Sequence, residues 1–258
     1  MIELFLAKLA ELDEVEAIAL GGSRAGENFD EKSDYDIYLY CTAPVPVTRR
    51  EEIYTEYCSY VEMDNHFWEQ EDNGTFLNGV DFDVLFRNLD DFTAGVARVV
   101  EEGQAGNGYS TCMWHNLRTC RIICDKTGRL TRAKARFDVP YPRQLQENII
   151  RRNWKLLRAA LPAYEEQIAK AVARGDLVSV NHRTAAFLES YFDILFALNE
   201  QTHPGEKRLM ELCKKTCPKL PERFEENLEG LFAHLFAAPE RVAEDIRSIL
   251  NELEMILI

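Results

Sequence analysis

The sequence is short of positive charge. It carries 30 lysines and arginines against 44 aspartates and glutamates, a formal net charge of −14. A protein that grips a nucleic-acid backbone needs a concentrated basic face, because phosphate neutralisation dominates such binding. A long nucleic-acid partner is therefore disfavoured, and a small cationic substrate suits the balance better. No apolar run approaches the ~20 residues of a membrane span, so no membrane partner is expected. Seven cysteines are present, none of them in a C-x-x-C pair, and the five histidines are scattered. No His or Cys cluster at ligand spacing supports a structural zinc site, and reduced, mostly buried thiols are expected. There is no G-x-x-x-x-G-K-[ST] loop and no G-x-S-x-G elbow, which removes the Walker-type and hydrolase readings. "GQAGNG" (Gly103 to Gly108) follows a helical pattern rather than a strand and reads as a plain loop. The opening stretch, "MIELFLAKLAELDEVEAIAL", has acidic residues inside its apolar run and reads as a first helix rather than a signal peptide. The expected location is the cytoplasm.

What the sequence does contain is a change of period along the chain. Ile2 to Leu12 repeat at helical spacing, and Val15 to Leu20 form a short strand pattern. "SDYDIYLYC" is a second strand rich in Tyr, Ile and Leu, followed by a helix opening near Thr48 with Glu51 in a capping-box position. "GVDFDVLFR" (Gly79 to Arg87) alternates as a strand, the next helix runs to Gly103, and "RIICD" is a further short strand. After Pro140 and Pro142 only helical patterns remain. Leu145, Ile149, Leu156 and Ala160 make one apolar stripe, and "RTAAFLESYFDILFAL" is apolar nearly all round, the mark of a central buried helix. A last helix carries Val242, Ile246, Ile249, Leu253 and Ile256. With 258 residues, two domains are expected, 1–139 built of strands and helices and 140–258 all helical.

One stretch concentrates the chemistry: "GGSRAGENFDEKSDYDIYLY", Gly21 to Tyr40. Side chains alternate along a strand, so Asp34, Asp36, Tyr38 and Tyr40 share one face while Tyr35, Ile37, Leu39 and Cys41 share the other. Two carboxylates on one face repel each other unless a cation sits between them, and Mg²⁺ takes such oxygen ligands. Asp81 and Asp83 share a face of the "GVDFDVLFR" strand, and either could complete a three-carboxylate set able to hold two metal ions for phosphoryl chemistry. Glycines after a strand let backbone N–H groups approach a phosphate, with the Ser23 hydroxyl and Arg24 nearby. Gly-Gly-Ser alone is commonly a turn, and Asp-x-Asp alone a solvated edge; their combination in this order is much rarer.

That combination resembles the nucleotidyltransferase superfamily built on the DNA polymerase β catalytic fold. It is most similar to the small bacterial branch of aminoglycoside and lincosamide adenylyltransferases. The motif spans roughly residues 15 to 90; over the helical half the similarity rests on architecture and on "HPGEKRL". The resemblance implies an α+β nucleotidyltransferase fold, a small mixed sheet with flanking helices, followed by an all-α helical bundle that contacts substrate or nucleotide. It implies that Gly22 and Ser23 bind the nucleotide's phosphates, that Asp34 and Asp36 hold Mg²⁺, and that Asp83 is the third carboxylate, as a metal ligand or as the base. Asp83 is preferred to Asp81 because the superfamily's third acid lies inside its strand, and Asp83 has Phe82 and Val84 on either side. Relatives often carry Ala-Arg-Gly after the serine, whereas Arg24-Ala25-Gly26 stands here, so the basic residue is shifted. Lys207 is the candidate for the lysine that relatives bring to the triphosphate. The implied reaction moves an NMP, AMP from ATP or another NTP, onto a hydroxyl of a small acceptor such as an aminoglycoside-like antibiotic, with two Mg²⁺ ions and release of pyrophosphate. The alternatives are a transferase modifying a protein side chain or an RNA end, and a non-catalytic nucleotide-binding or antitoxin-like protein. A binding-only descendant has no need for three acids, which favours catalysis.

Overall fold

The computed structural model describes residues 1–25 and 33–257. It separates into two compact units, the first made of Met1–Ala97 with Asn116–Val139, the second of Arg98–His115 with Pro140–Ile258.

The first unit is a six-stranded mixed sheet with flanking helices. Its elements are α1 (Ile2–Ala10), β1 (Val15–Leu20), β2 (Tyr35–Cys41), α2 (Val47–Tyr57), β3 (Cys58–Asn65), β4 (Gln70–Phe76) and β5 (Asp81–Arg87). Then come α3 (Leu89–Val100), α4 (Cys112–Thr119), β6 (Arg121–Asp125) and α5 (Arg129–Arg136), with α3 and α4 spanning the chain's passage between the units. The strand order is β3-β4-β5-β2-β1-β6, and β2 with β5 is the parallel pair, the neighbouring pairs being antiparallel. All six residues of β1 are buried, as an interior strand covered on both faces requires. Phe5, Leu6 and Leu9 turn one stripe of α1 onto the sheet. Phe5 meets Phe76 at 5.1 Å between ring centroids, and Phe76 meets Phe82 at 4.4 Å. Below the same face, Arg50 of α2 is buried against Asp72 of β4, which also accepts from the Tyr54 hydroxyl at 2.7 Å.

The expected small mixed sheet with flanking helices, and helices only after Pro140, are both found. Three details differ. Pro46 rather than Thr48 stands at the N-cap of α2, with no side-chain cap, because the helix begins at Val47 and leaves Thr48 in its first turn. β3 and β4 were not expected: "QEDNGTF" holds the polar and glycine residues that strands disfavour, and its place in the sheet comes from pairing on both sides. The apolar stripe of α6 (Arg143–Trp154) continues through buried Asn153 and Leu157 rather than Leu156 and Ala160, where the helix runs into a π turn at Lys155–Ala159.

The second unit adds α7 (Tyr164–Ala173), α8 (Leu177–Leu198), α9 (Leu209–Thr216), α10 (Phe224–Ala237) and α11 (Val242–Leu257). α8 is the central helix, buried at every position from Ser190 to Ala197, and Val242, Ile246, Ile249 and Leu253 of α11 pack into the same core. A polar cluster interrupts that core. Asp193 is buried and accepts from the Ser110 amide at 3.0 Å, the Ser110 hydroxyl at 2.6 Å and Asn153 at 3.0 Å. Asn153 also accepts from the Gly108 amide at 3.1 Å, so the glycine-rich loop before α4 is tied down by α6 and α8. His203 is fully buried between Tyr109 and Phe196. The seven cysteines are all free thiols. Among the described residues no helix is long and apolar enough to cross a membrane.

Candidate active site

The parallel register of β2 and β5 sets Tyr35 opposite Phe82, Asp36 opposite Asp83 and Ile37 opposite Val84. In-register neighbours project to the same face, so the Asp36 and Asp83 carboxylates stand side by side, one strand spacing of about 4.8 Å apart at the backbone. The antiparallel register of β4 then sets Asn73 opposite Asp83. Asp36, Asp83 and Asn73 thus form a row across three strands, all half-buried. The other face of these strands presents Ile37, Phe82 and Val84 to the core beneath α1 and α2. Further along the acid face the sheet closes over. Arg87 lies over the Tyr38 ring at 4.3 Å and pairs with Glu69, and Tyr40 meets Phe92 of α3 at 5.5 Å. The acid pair is therefore left at the polar, N-terminal end of the parallel strands.

The glycines answer to side chains on β2. The Gly21 amide donates to the Asp36 carbonyl at 2.8 Å. A Cβ on Gly21 would lie 2.3 Å from the Tyr38 ring, and one on Gly22 would lie 1.8 Å from Asp36 Oδ2. Gly22 also has φ +55°, in the left-handed region that favours glycine. The missing Cβ is the space that the Asp36 carboxylate uses.

Asp83 accepts from Asn73 Nδ2 at 2.7 Å, and Asn73 Oδ1 accepts from Asn65 Nδ2 at 2.7 Å. Glu71 occupies the same face of β4, and its carboxyl is held above the usual carboxylate range, by its own desolvation first and by the Asp83 charge second. Asp81 is exposed at the start of β5, where it accepts from the Thr75 hydroxyl at 2.7 Å. Asp34 is the residue before β2 rather than part of it. Among the described residues no group of three or more His, Cys, Asp or Glu side chains is gathered closely enough to hold a metal, so the structure brings together the Asp36–Asp83 pair and not the full set with Asp34. The pair fits Mg²⁺ nonetheless: that ion takes hard oxygen donors and is commonly held by one or two carboxylates together with substrate phosphates.

The remaining candidates fall elsewhere. The Ser23 side chain and residues 26–32, including Gly26, lie outside the described residues. Arg24 donates to the Ser33 carbonyl at 2.6 Å and to the Tyr35 hydroxyl at 3.1 Å, with its guanidinium 4.0 Å over the Tyr35 ring. It therefore sits with Tyr35, on the side of β2 away from Asp36, beside a cavity of about 450 Å³ that Leu6, Leu20 and Ile123 also line. Lys207 is exposed in the turn before α9, in the second unit. Sequence reasoning missed Asn65, Asn73 and Glu71, because it did not recognise the hairpin that carries them; the only signal was the weak alternation of "YVEM" (Tyr60 to Met63).

The family model described as "Domain of unknown function (DUF4037)" matches residues 111–209. No curated protein matches the sequence. Two solved structures are similar along the whole chain. One is a nucleotidyltransferase-like protein from Exiguobacterium sibiricum 255-15, with 13% identity and a TM-score of 0.43, covering 100% of this chain and 74% of that one. The other is an aminoglycoside 6-adenyltransferase from Bacillus subtilis, with 10% identity and a TM-score of 0.31, covering 100% of this chain and 90% of that one.

Proposed function

We propose that this chain is a Mg²⁺-dependent nucleotidyltransferase that moves an NMP, AMP from ATP, onto a hydroxyl of a small acceptor. The observation that carries the reading is the in-register Asp36–Asp83 pair with the Gly22 backbone closed onto Asp36. Asp36 and Asp83, with Asp34 as a further candidate ligand, would hold Mg²⁺, which when bound neutralises charge on the transferring phosphate. The Gly21-Gly22 turn lets the nucleotide's phosphates approach the main chain. Asp83, through the oxygen that Asn73 does not occupy, takes the proton of the acceptor hydroxyl or shares the metal. A bond forms between the acceptor oxygen and the α-phosphorus as the bond from that phosphorus to the bridging oxygen breaks, and pyrophosphate leaves. Catalysis is then mostly positioning and charge neutralisation. A net charge of −14 and a carboxylate-lined face favour a cationic acceptor such as an aminoglycoside.

The test is calorimetry of ATP binding with and without Mg²⁺, followed by pyrophosphate release with a panel of hydroxylated amines. Binding that needs Mg²⁺ and disappears in Asp36→Ala supports the reading. Wild-type protein that binds no nucleotide, or binds it equally well after Asp36→Ala, overturns it.

A further inference from the structure

The hydrogen bonds beside Asp83 run in one direction, and their polarity is set by chemistry. A carboxylate only accepts, so Asn73 must present its NH₂ group to Asp83. Its carbonyl is then turned away and needs a donor, which Asn65 Nδ2 supplies at 2.7 Å. Flipping either amide would set two acceptors or two donors against each other.

Asn65 reaches that position through a break in the β3–β4 register. Glu62 pairs with Asn73, but Asn65 pairs with Glu71, so one extra residue is inserted on β3 between them. In an unbroken ladder Asp64 would face Glu71 and Asn65 would point to the other side of the sheet. The bulge re-aims Asn65 onto the acid face. Asp64, at φ +60°, is the residue that absorbs the turn. Its amide donates to Asp72 Oδ1 at 2.8 Å, and its carboxylate accepts from Arg50 at 3.2 Å and from Gln70 at 2.9 Å. The bulge is therefore bolted to the buried Arg50–Asp72 pair beneath the sheet, while Asn65 is delivered above it.

We infer that Asn73 is a positioning residue for Asp83, with its orientation fixed by Asn65 through the bulge at Asp64. The Asn65–Asn73 relay holds one oxygen of Asp83 and so fixes the direction of the other. The role in catalysis rests on the reading given under Proposed function; the relay itself does not.

The experiment has two arms on the full chain. In the first, the side-chain amide resonances of Asn65 and Asn73 are followed by ¹⁵N NMR. Asp83→Ala is expected to move the Asn73 amide, and Asn65→Ala, which removes no group touching Asp83, is expected to move it as well. In the second arm, nucleotide transfer is measured. Asn73→Ala is expected to lower kcat about 10–100-fold with little change in the KM for ATP. Asn73→Asp, nearly the same shape, is expected to cost more than Asn73→Ala because it sets a second acceptor against Asp83; a role in packing alone predicts the reverse order. The proposal is overturned if Asn65→Ala leaves the Asn73 amide where it was, or if Asn73→Asp is the milder change. Should the wild-type protein transfer no nucleotide, the functional reading falls, and the amide shifts still support or overturn the relay.

Discussion

Asp36 Oδ2 lies 1.8 Å from the point where a Cβ on Gly22 would stand. Carboxylate and turn are thus mutually exclusive with any side chain at position 22, which ties the glycine turn to the acid strand sterically, in addition to the hydrogen bond from the Gly21 amide to the Asp36 carbonyl. Gly22→Ala is expected to displace the Asp36 carboxylate and weaken Mg²⁺-dependent ATP binding by tenfold or more, about 1.4 kcal/mol. Gly79→Ala is the control. Gly79 also has positive φ, +80°, but nothing lies within 4 Å of its Cβ position, so only backbone strain of about 1–2 kcal/mol applies. Calorimetry with ATP on both variants separates the steric effect from the strain.

Asp81 and Asp83 are two residues apart on one face of β5 but differ in surroundings. Asp83 is half-buried opposite Asp36 and held by Asn73, whereas Asp81 is exposed with Thr75. Asp83→Asn is expected to reduce nucleotide transfer about 100-fold or more, as loss of a general base or metal ligand does. Asp81→Asn is expected to leave the rate nearly unchanged. Steady-state pyrophosphate release on the two variants, side by side, decides the assignment.

The buried ion pair under the hairpin predicts a stability effect. Asp72 accepts from Arg50 at 2.5 Å and from Tyr54, and both side chains of the ion pair are shut off from solvent. Removing Asp72 leaves the buried Arg50 with only the half-exposed Asp64 as a partner, so Asp72→Ala is expected to cost roughly 3 kcal/mol. Arg50→Met together with Asp72→Leu is expected to cost less than Asp72→Ala alone. Urea denaturation midpoints compare the two.

Two buried groups in the second unit predict opposed pH dependences. Burial lifts the Asp193 carboxyl to about 6, against the hydrogen bonds from Ser110 and Asn153 that pull it down. In the unfolded chain such a carboxyl ionises near ~3.9. Between those values the native state holds the extra proton, so this contribution is present in acid and is lost as pH rises through about 6. Burial, reinforced by His115, lowers His203 to about 3. Unfolded histidine takes its proton near ~6.5, so its contribution is present at neutral pH and is lost as pH falls toward about 3. The two slopes oppose each other across the acid range. His203→Gln is expected to leave a protein whose stability declines as pH rises through the Asp193 window, and Asp193→Asn one that loses stability in acid more steeply than wild type. Each full slope is at most about 1.4 kcal/mol per pH unit, and urea midpoints between pH 4 and pH 7 would reveal the change of sign.

Much of the candidate site was legible because its signals are local. Alternation in "DYDIYLYC" and "DFDVLF" named the faces, and the glycines marked the turn. The choice of Asp83 over Asp81 followed the resemblance, whose third acid lies inside its strand as Asp83 does between Phe82 and Val84, and the register sets that same residue opposite Asp36. Arg24 shows where local reading stops. Adjacent to the turn in sequence, it is drawn onto the Tyr35 ring and the Ser33 carbonyl, on the side of β2 away from Asp36. The β3–β4 hairpin was scarcely legible, with only the weak alternation of "YVEM" to mark it, since its polar residues are strand residues only because β5 stands ready to pair with β4.

By itself the sequence determined the strongly periodic segments, β1, β2, β5 and the long apolar helices, which faces of β2 and β5 are acidic, and where the stretch of helices only begins. These follow from the fixed repeats of the helix and the strand, which any chain with this pattern must obey. Tertiary structure alone decided the register that sets Asp36 against Asp83, the extra residue at Asp64 that swings Asn65 onto the acid face, and the burial that sets Asp193 and His203 against each other. Register, bulge and burial are relations between segments distant in the chain. Their energies arise only when those segments meet, so no local pattern encodes them.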